Sequence, residues 1–75
     1  MDMRKLVGTN LRRVRLEKGL TQEELSELSG FTQQYLSTVE SGQANPTIVT
    51  IYEIATAMGV SHIDLVAPPA KLSRR

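Results

Sequence analysis

Apolar side chains recur along the chain at the spacing of an amphipathic helix. Val7, Leu11 and Val14 lie at i, i+4 and i+7, which predicts a first helix over about residues 3 to 18, ended by Gly19. A fourth helix further along has the same spacing, and its inward positions are Ile51, Ile54, Ala55 and Met58. The β-branched first turn of that helix could also be read as a strand, but the helical period after it favours a helix.

Capping residues predict where the second helix begins. Thr21, with Glu24 three positions further on, forms a capping box for a short helix. Leu25 and Leu28 are expected to face inward from this helix, and Gly30 ends it.

Further caps predict the remaining helices. Thr32 caps a third helix and Thr47 caps the fourth. Ser61 with Asp64 forms a second capping box, for a short fifth helix that the prolines at 68 and 69 stop. Since no segment is a strong strand candidate, the sequence predicts an all-α fold, a compact bundle of five helices.

Composition narrows the class of protein. The chain has 75 residues, 40% of them hydrophobic and 23% charged, which is typical of one soluble globular domain. We expect that domain to span 1–75, with its core in 6–66 and a basic tail at 70–75. There are no cysteines and His62 is the only histidine, so no metal site or cofactor is expected. Neither a membrane span nor a signal peptide is evident, and a cytoplasmic location is expected.

Positive charge lies at the two ends of the chain. Residues 1–18 carry a net charge of +4 and residues 71–75 carry +3. Residues 19–70 contain six acidic residues and no lysine or arginine, so their net charge is −6. Basic ends can bind nucleic acid or simply solvate a helix, and the charge pattern leaves both interpretations open.

The second and third helices are joined by a short turn, Ser-Gly-Phe at 29–31. This is the pattern of a helix-turn-helix, whose second helix can enter the DNA major groove. Over about residues 6 to 65 the sequence resembles the lambda-repressor-like (Cro/C1-type, xenobiotic-response-element class) family. The motifs that carry the resemblance are GLTQEELS, the glycine turn, ESG, NPT and A-x-x-MGV.

The outward face of the third helix is polar and uncharged. Because Leu36 and Val39 face the core, the opposite stripe holds Gln33, Gln34, Ser37 and Thr38. Glutamine can read adenine through two hydrogen bonds, and a threonine methyl can contact a thymine methyl. In the resembled family the position of Gln33 and its neighbour read bases. The alternative is a neutral, solvated face.

A second group of residues is predicted to hold DNA phosphates. The second helix begins at Thr21 with free backbone N–H groups, to which Gln22 can add a side-chain amide donor. In the resembled family the matching glutamine contacts phosphate and braces the third helix. The other predicted phosphate contacts are Arg12, Arg13, Tyr35 and Asn45. Tyr35 could instead lie against the domain. The loop ESGQANP lacks the basic residues that family members often carry, so a weak monomer or a domain without DNA binding is expected.

The resemblance also implies one structural ion pair and a pairing surface. Arg15 and Glu40 should tie the first helix to the end of the third. Family members often pair through the last helix, and a homodimer interface is expected at Val60, Ile63, Leu65 and Val66.

These patterns predict a sequence-specific DNA-binding transcriptional regulator that reads double-stranded DNA with its third helix, as a homodimer on a palindromic operator. The alternative is a protein-interaction module of the same fold, such as an antitoxin whose partner is a toxin. Enzymatic function is not expected, because the sequence contains no catalytic triad, metal-ligand set or phosphate loop.

Overall fold

The computed structural model describes residues 2–68, which form five α-helices. The helices are α1 (Met3–Glu17), α2 (Gln22–Ser29), α3 (Gln33–Glu40), α4 (Ile48–Met58) and α5 (Ile63–Val66). The predicted all-α fold is confirmed, because residues 2–68 contain no strand and the β-branched first turn of α4 is helical. In this part of the chain no helix has the length and apolar character to span a membrane. The basic tail predicted at 70–75 lies outside the described residues.

Side-chain caps explain why four of the helices begin where they do. Asp2, Thr21, Thr32 and Thr47 each accept a hydrogen bond from a backbone N–H in the first turn. At Thr21 the capping box is complete, with Glu24 N 3.0 Å from Thr21 Oγ1 and Thr21 N 2.8 Å from Glu24 Oε1. Gly30 ends α2 with a φ of +83°, a conformation that residues with a Cβ rarely adopt.

The core lies between α1 and the four shorter helices. Its fully buried side chains come from all five helices and include Leu11, Leu25, Leu36, Ile54 and Leu65. α1 packs against α3 and α5, and α2 packs against α3 and α4. The longest helix, α1, therefore supports both the third and the fifth helices.

Two local expectations were wrong. Leu28 was expected to face inward, yet it is 59% exposed, because Leu25 fills the inward position of this short helix and Leu28 lies beyond the edge of the core. The capping box of Ser61 with Asp64 does not form, because His62 already has helical dihedral angles and is the N-cap of α5. Ser61 Oγ instead accepts from Ile63 N at 3.1 Å, only two residues further on.

Candidate nucleic-acid interface

The turn between α2 and α3 is held by contacts at Phe31. Its side chain packs against the core, its carbonyl accepts a hydrogen bond from Ser26 Oγ, and its N–H donates to Ser29 Oγ at 3.2 Å. Its ring centroid lies 5.5 Å from that of Tyr35, which is itself half-buried. The contacts of Phe31 therefore fix the angle between α2 and α3. Only part of the Tyr35 side chain is open to a ligand.

The outward stripe of α3 is open to solvent over most of its length. Gln33, Gln34 and Ser37 are exposed, while Leu36 and Val39 are buried beneath them. Thr38, the fourth member of the predicted stripe, is half-buried, and its Oγ1 donates to the backbone oxygen of Gln34 at 2.9 Å. The hydroxyl proton of Thr38 is thus used within the helix, so its methyl group and oxygen lone pairs are what it can offer a ligand.

The start of α2 lies beside the end of α3. The amide Nε2 of Gln22 donates to Glu40 Oε1 at 3.1 Å, which ties the first residue of α2 to the last residue of α3. A side-chain amide nitrogen carries two hydrogens, so one remains free for a ligand. At Thr21 the side-chain oxygen accepts the capping bond from Glu24 N and still has its own proton to donate.

The two arginines predicted as phosphate contacts lie in different surroundings. The Arg12 side chain is 63% exposed, and its Nη1 is 3.9 Å from Glu40 Oε1. Arg13 is half-buried, and it contacts Glu17 Oε2 at 3.4 Å and Asn10 Oδ1 at 3.4 Å. Consecutive helix residues point about 100° apart, so Arg12 lies beside Glu40, as Gln22 does, whereas Arg13 is directed elsewhere.

Arg15 and Glu40 form a buried ion pair at the centre of this region. Arg15 Nε and Nη2 donate to the two carboxylate oxygens of Glu40 at 2.6 and 3.1 Å, and the side chains are only 7% and 5% exposed. Arg15 Nη1 also donates to the backbone oxygen of Leu20 at 2.8 Å. One carboxylate thus receives donors from α1 and α2. The resemblance implied that Gln22 braces the third helix, but no pattern in the sequence indicated that Arg12 would approach the same carboxylate.

The geometry combines a fixed turn, a polar outward helix and a cluster of donors at the start of the helix before it. A family model described as helix-turn-helix, HTH_3, matches residues 11–65 of the chain.

The chain belongs to this helix-turn-helix family.

Three of its relatives share most of their length with it. The HTH-type transcriptional regulator y4dJ of Sinorhizobium fredii is 65% identical over 68 residues, which cover 91% of this chain and 88% of that protein. Among solved structures, the hypothetical transcription factor NHTF from Neisseria has a TM-score of 0.86 at 37% identity, covering 91% of this chain and 78% of the other. The restriction-modification controller protein C.AhdI from Aeromonas hydrophila has a TM-score of 0.79 at 40% identity, covering 83% and 94%. The chain is a transcriptional regulator with a helix-turn-helix domain.

The pairing surface expected for this helix-turn-helix protein needs correction. Leu65 is 1% exposed and belongs to the core, so it is not available to a second copy. Val60 and Val66 are half-buried and pack against the core, which leaves Ile63, at 57% exposure, as the open member of the expected set. In a helix of four residues the sequence period does not distinguish the buried face from the exposed one.

Other exposed apolar side chains lie beside His62, the residue that precedes Ile63 in the chain. Ile48, Val49 and Tyr52 at the start of α4 are 62%, 61% and 57% exposed, and together with His62 they line one surface depression. The ring centroids of Tyr52 and His62 are 6.0 Å apart, which places the start of α4 beside the start of α5. We name Ile48, Val49, Tyr52 and Ile63 the α4–α5 patch. The sequence pattern did not indicate this patch, because the β-branched first turn of α4 distinguishes only between a helix and a strand and does not show which side chains stay exposed.

Proposed function

We propose that this regulator binds a specific DNA sequence by placing α3 in the major groove. The observation that carries the proposal is the outward stripe of α3, where Gln33, Gln34 and Ser37 are exposed above a buried apolar face. A solvated helix face normally carries charge, whereas amide and hydroxyl groups match the donors and acceptors of base edges. Glutamine side chains at the start of a recognition helix are well placed to reach them.

The donors at the start of α2 support the same docking. Free backbone N–H groups after Thr21, the second amide hydrogen of Gln22 and the exposed Arg12 guanidinium lie on the side of Glu40 where α2 meets α3. A helix N-terminus with such donors favours a phosphate. A phosphate held there would orient α3 in the neighbouring groove. Asn45, exposed in the loop before α4, is proposed as a second backbone contact.

Charge limits the affinity of one copy. Residues 19–70 contain no lysine or arginine, so few phosphates can be neutralised by a single domain. Counter-ion release supplies much of DNA affinity, and one short helix in one groove gives too little surface for typical operator affinity. We propose that two copies bind together on a palindromic operator, which would place two α3 helices about 34 Å apart on one face of the duplex.

The α4–α5 patch is the proposed surface for this homodimer. Its four side chains are each more than half exposed and carry no charge, so the centre of a contact between two copies related by a two-fold axis would be apolar. A standard interface buries about 800 Å² on each partner, so polar neighbours of the patch would have to form the rim.

A gel-shift experiment tests the reading role of α3. Wild-type protein first selects a preferred duplex from a random DNA library, and affinity is then compared on that duplex and on a scrambled one. Gln34→Ala should weaken binding to the selected duplex by about 1–3 kcal/mol and leave binding to the scrambled duplex nearly unchanged. Gln43→Ala, the same change just beyond α3, is the matched control and should preserve the ratio of the two affinities. Equal weakening of Gln34→Ala on both duplexes would contradict the proposal.

Sedimentation equilibrium at micromolar concentration tests the homodimer. The wild-type chain should self-associate, and Ile63→Ser should make it monomeric without reducing its helical circular dichroism. Leu28→Ser, which changes an equally exposed leucine outside the patch, should leave the association constant unchanged. A monomeric wild-type chain, or a Leu28→Ser effect as large as that of Ile63→Ser, would rule out this interface.

A further inference from the structure

α1 and α3 touch backbone to backbone at Gly8. A Cβ atom at this position would lie 2.3 Å from the carbonyl oxygen of Val39 and 2.8 Å from that of Glu40. Close carbon–oxygen contacts in proteins are ordinarily about 3.3–3.6 Å long. The obstructing atoms belong to the backbone of α3 and not to a flexible side chain, so even a methyl group at Gly8 requires α3 to move.

The end of α3 is held against α1 at two more points. Gly42, just after α3, has a φ of +80° and lies so close to α1 that a Cβ there would be 2.9 Å from Lys5 Cγ and 3.3 Å from Lys5 Cα. The Glu40 side chain is held by Arg15, seven residues after Gly8 and thus on nearly the same face of α1. Glu40 therefore meets α1 twice, through its backbone at Gly8 and through its carboxylate at Arg15.

We infer that Gly8 is a positioning residue for DNA reading: it lets the end of α3 rest directly on α1 and so sets where the glutamines of α3 lie relative to the start of α2. This inference rests on the proposed function. α2 carries the phosphate donors and packs on α4 as well as on α3, so it does not simply follow a movement of α3.

The size of the displacement indicates which property should change. Restoring an ordinary contact at Gly8 moves the end of α3 by about 1 Å. An eight-residue helix is about 12 Å long, so this shift tilts it by roughly 5°, and a side-chain group about 6 Å from the helix axis then moves by roughly 0.5 Å. Hydrogen bonds to base edges tolerate only a few tenths of an ångström, whereas attraction to phosphates falls off slowly with distance. Discrimination between DNA sequences should therefore fall while sequence-independent binding is retained.

The test compares Gly8→Ala with wild type on the selected duplex and on the scrambled duplex, with affinities corrected for the folded fraction measured by circular dichroism. We expect the ratio of the two affinities to fall roughly tenfold or more, as for the loss of one good base contact. A purely structural role would lower the folded fraction and leave the corrected ratio unchanged. Thr9→Ala, at the exposed neighbouring position on α1, is the control and should keep the wild-type ratio.

The outcomes separate this inference from the proposed function. A wild-type ratio for folded Gly8→Ala would overturn the inference alone, whereas a wild-type protein that prefers no duplex would overturn both. If Gly8→Ala does not fold, Gly42→Ala is the alternative variant, because a methyl group there also separates the end of α3 from α1. The atom nearest to this methyl group belongs to the flexible Lys5 side chain. Its corrected ratio should fall by a smaller factor, and an unchanged ratio there would also overturn the inference.

Discussion

Replacing Glu40 with leucine should destabilise the domain strongly, because the Arg15 guanidinium would remain buried without its counter-ion. Both side chains are less than a tenth exposed, and their shorter contact is 2.6 Å. Removing one partner of a buried pair typically costs about 3–5 kcal/mol. The total free energy of unfolding of a small domain is about 5–10 kcal/mol, so roughly half of the stability would be lost. At about 4–8 °C per kcal/mol, the midpoint of thermal unfolding should fall by more than about 12 °C.

A second substitution should recover part of the loss. In the Arg15→Met, Glu40→Leu double variant no buried charge is left, and such replacements are often close to neutral. Recovery should be incomplete, since the amide of Gln22 and the carbonyl of Leu20 each lose a partner. Each lost hydrogen bond costs about 1 kcal/mol. The double variant should therefore be more stable than Glu40→Leu by about 2 kcal/mol.

Urea unfolding of the four proteins in this double-mutant cycle, followed by circular dichroism, measures the coupling free energy. Glu17→Leu is the control: its carboxylate pairs with Arg13 at 3.4 Å, but the side chains are 60% and 39% exposed, and such pairs contribute less than about 1 kcal/mol. A buried, mutually dependent ion pair would be contradicted if Glu40→Leu cost no more than Glu17→Leu, or if the double variant were less stable than both single variants.

Three further results are expected. Replacing Arg12 and Arg13 with alanine should flatten the plot of log affinity against log salt by about one unit, and an unchanged slope would assign both to solvation of α1. Thr21→Ala should cost about 1 kcal/mol in urea unfolding through loss of the cap, and a neutral effect would contradict the capping role. Leu65→Ala should cost about 2–5 kcal/mol, whereas Ile63→Ala should cost under about 1 kcal/mol; similar losses would contradict their different burial.

The helices could be predicted from the sequence because their signals are local. Apolar spacing and the threonine caps act within a few residues, and the structure has a capping hydrogen bond at Thr21, Thr32 and Thr47. Errors arose where a neighbouring element decides burial. Leu28 has the right spacing to face inward, but no helix covers it, and Leu65 rather than Ile63 of the short α5 meets the core.

The long-range contacts of the candidate site could not be predicted from the residues alone. Glu40 receives donors from residues 18 and 25 positions earlier in the chain, and periodicity carries no information at that separation. Gly8 reads from the sequence as an unfavourable residue inside a helix, at a cost of about 1 kcal/mol relative to alanine. The need for glycine at this position is evident only from the close packing of the α3 backbone against α1.

The claim that α3 reads base sequence can be tested by repeating the selection from a random DNA library with wild-type protein, Gln33→Ala and Gln34→Ala, and sequencing the bound duplexes. Wild type should enrich an inverted repeat whose half-site centres are about 10 base pairs apart, and each variant should lose base preference at particular positions of both half-sites. No enriched sequence with wild type, or one motif enriched identically by all three proteins, would contradict the claim.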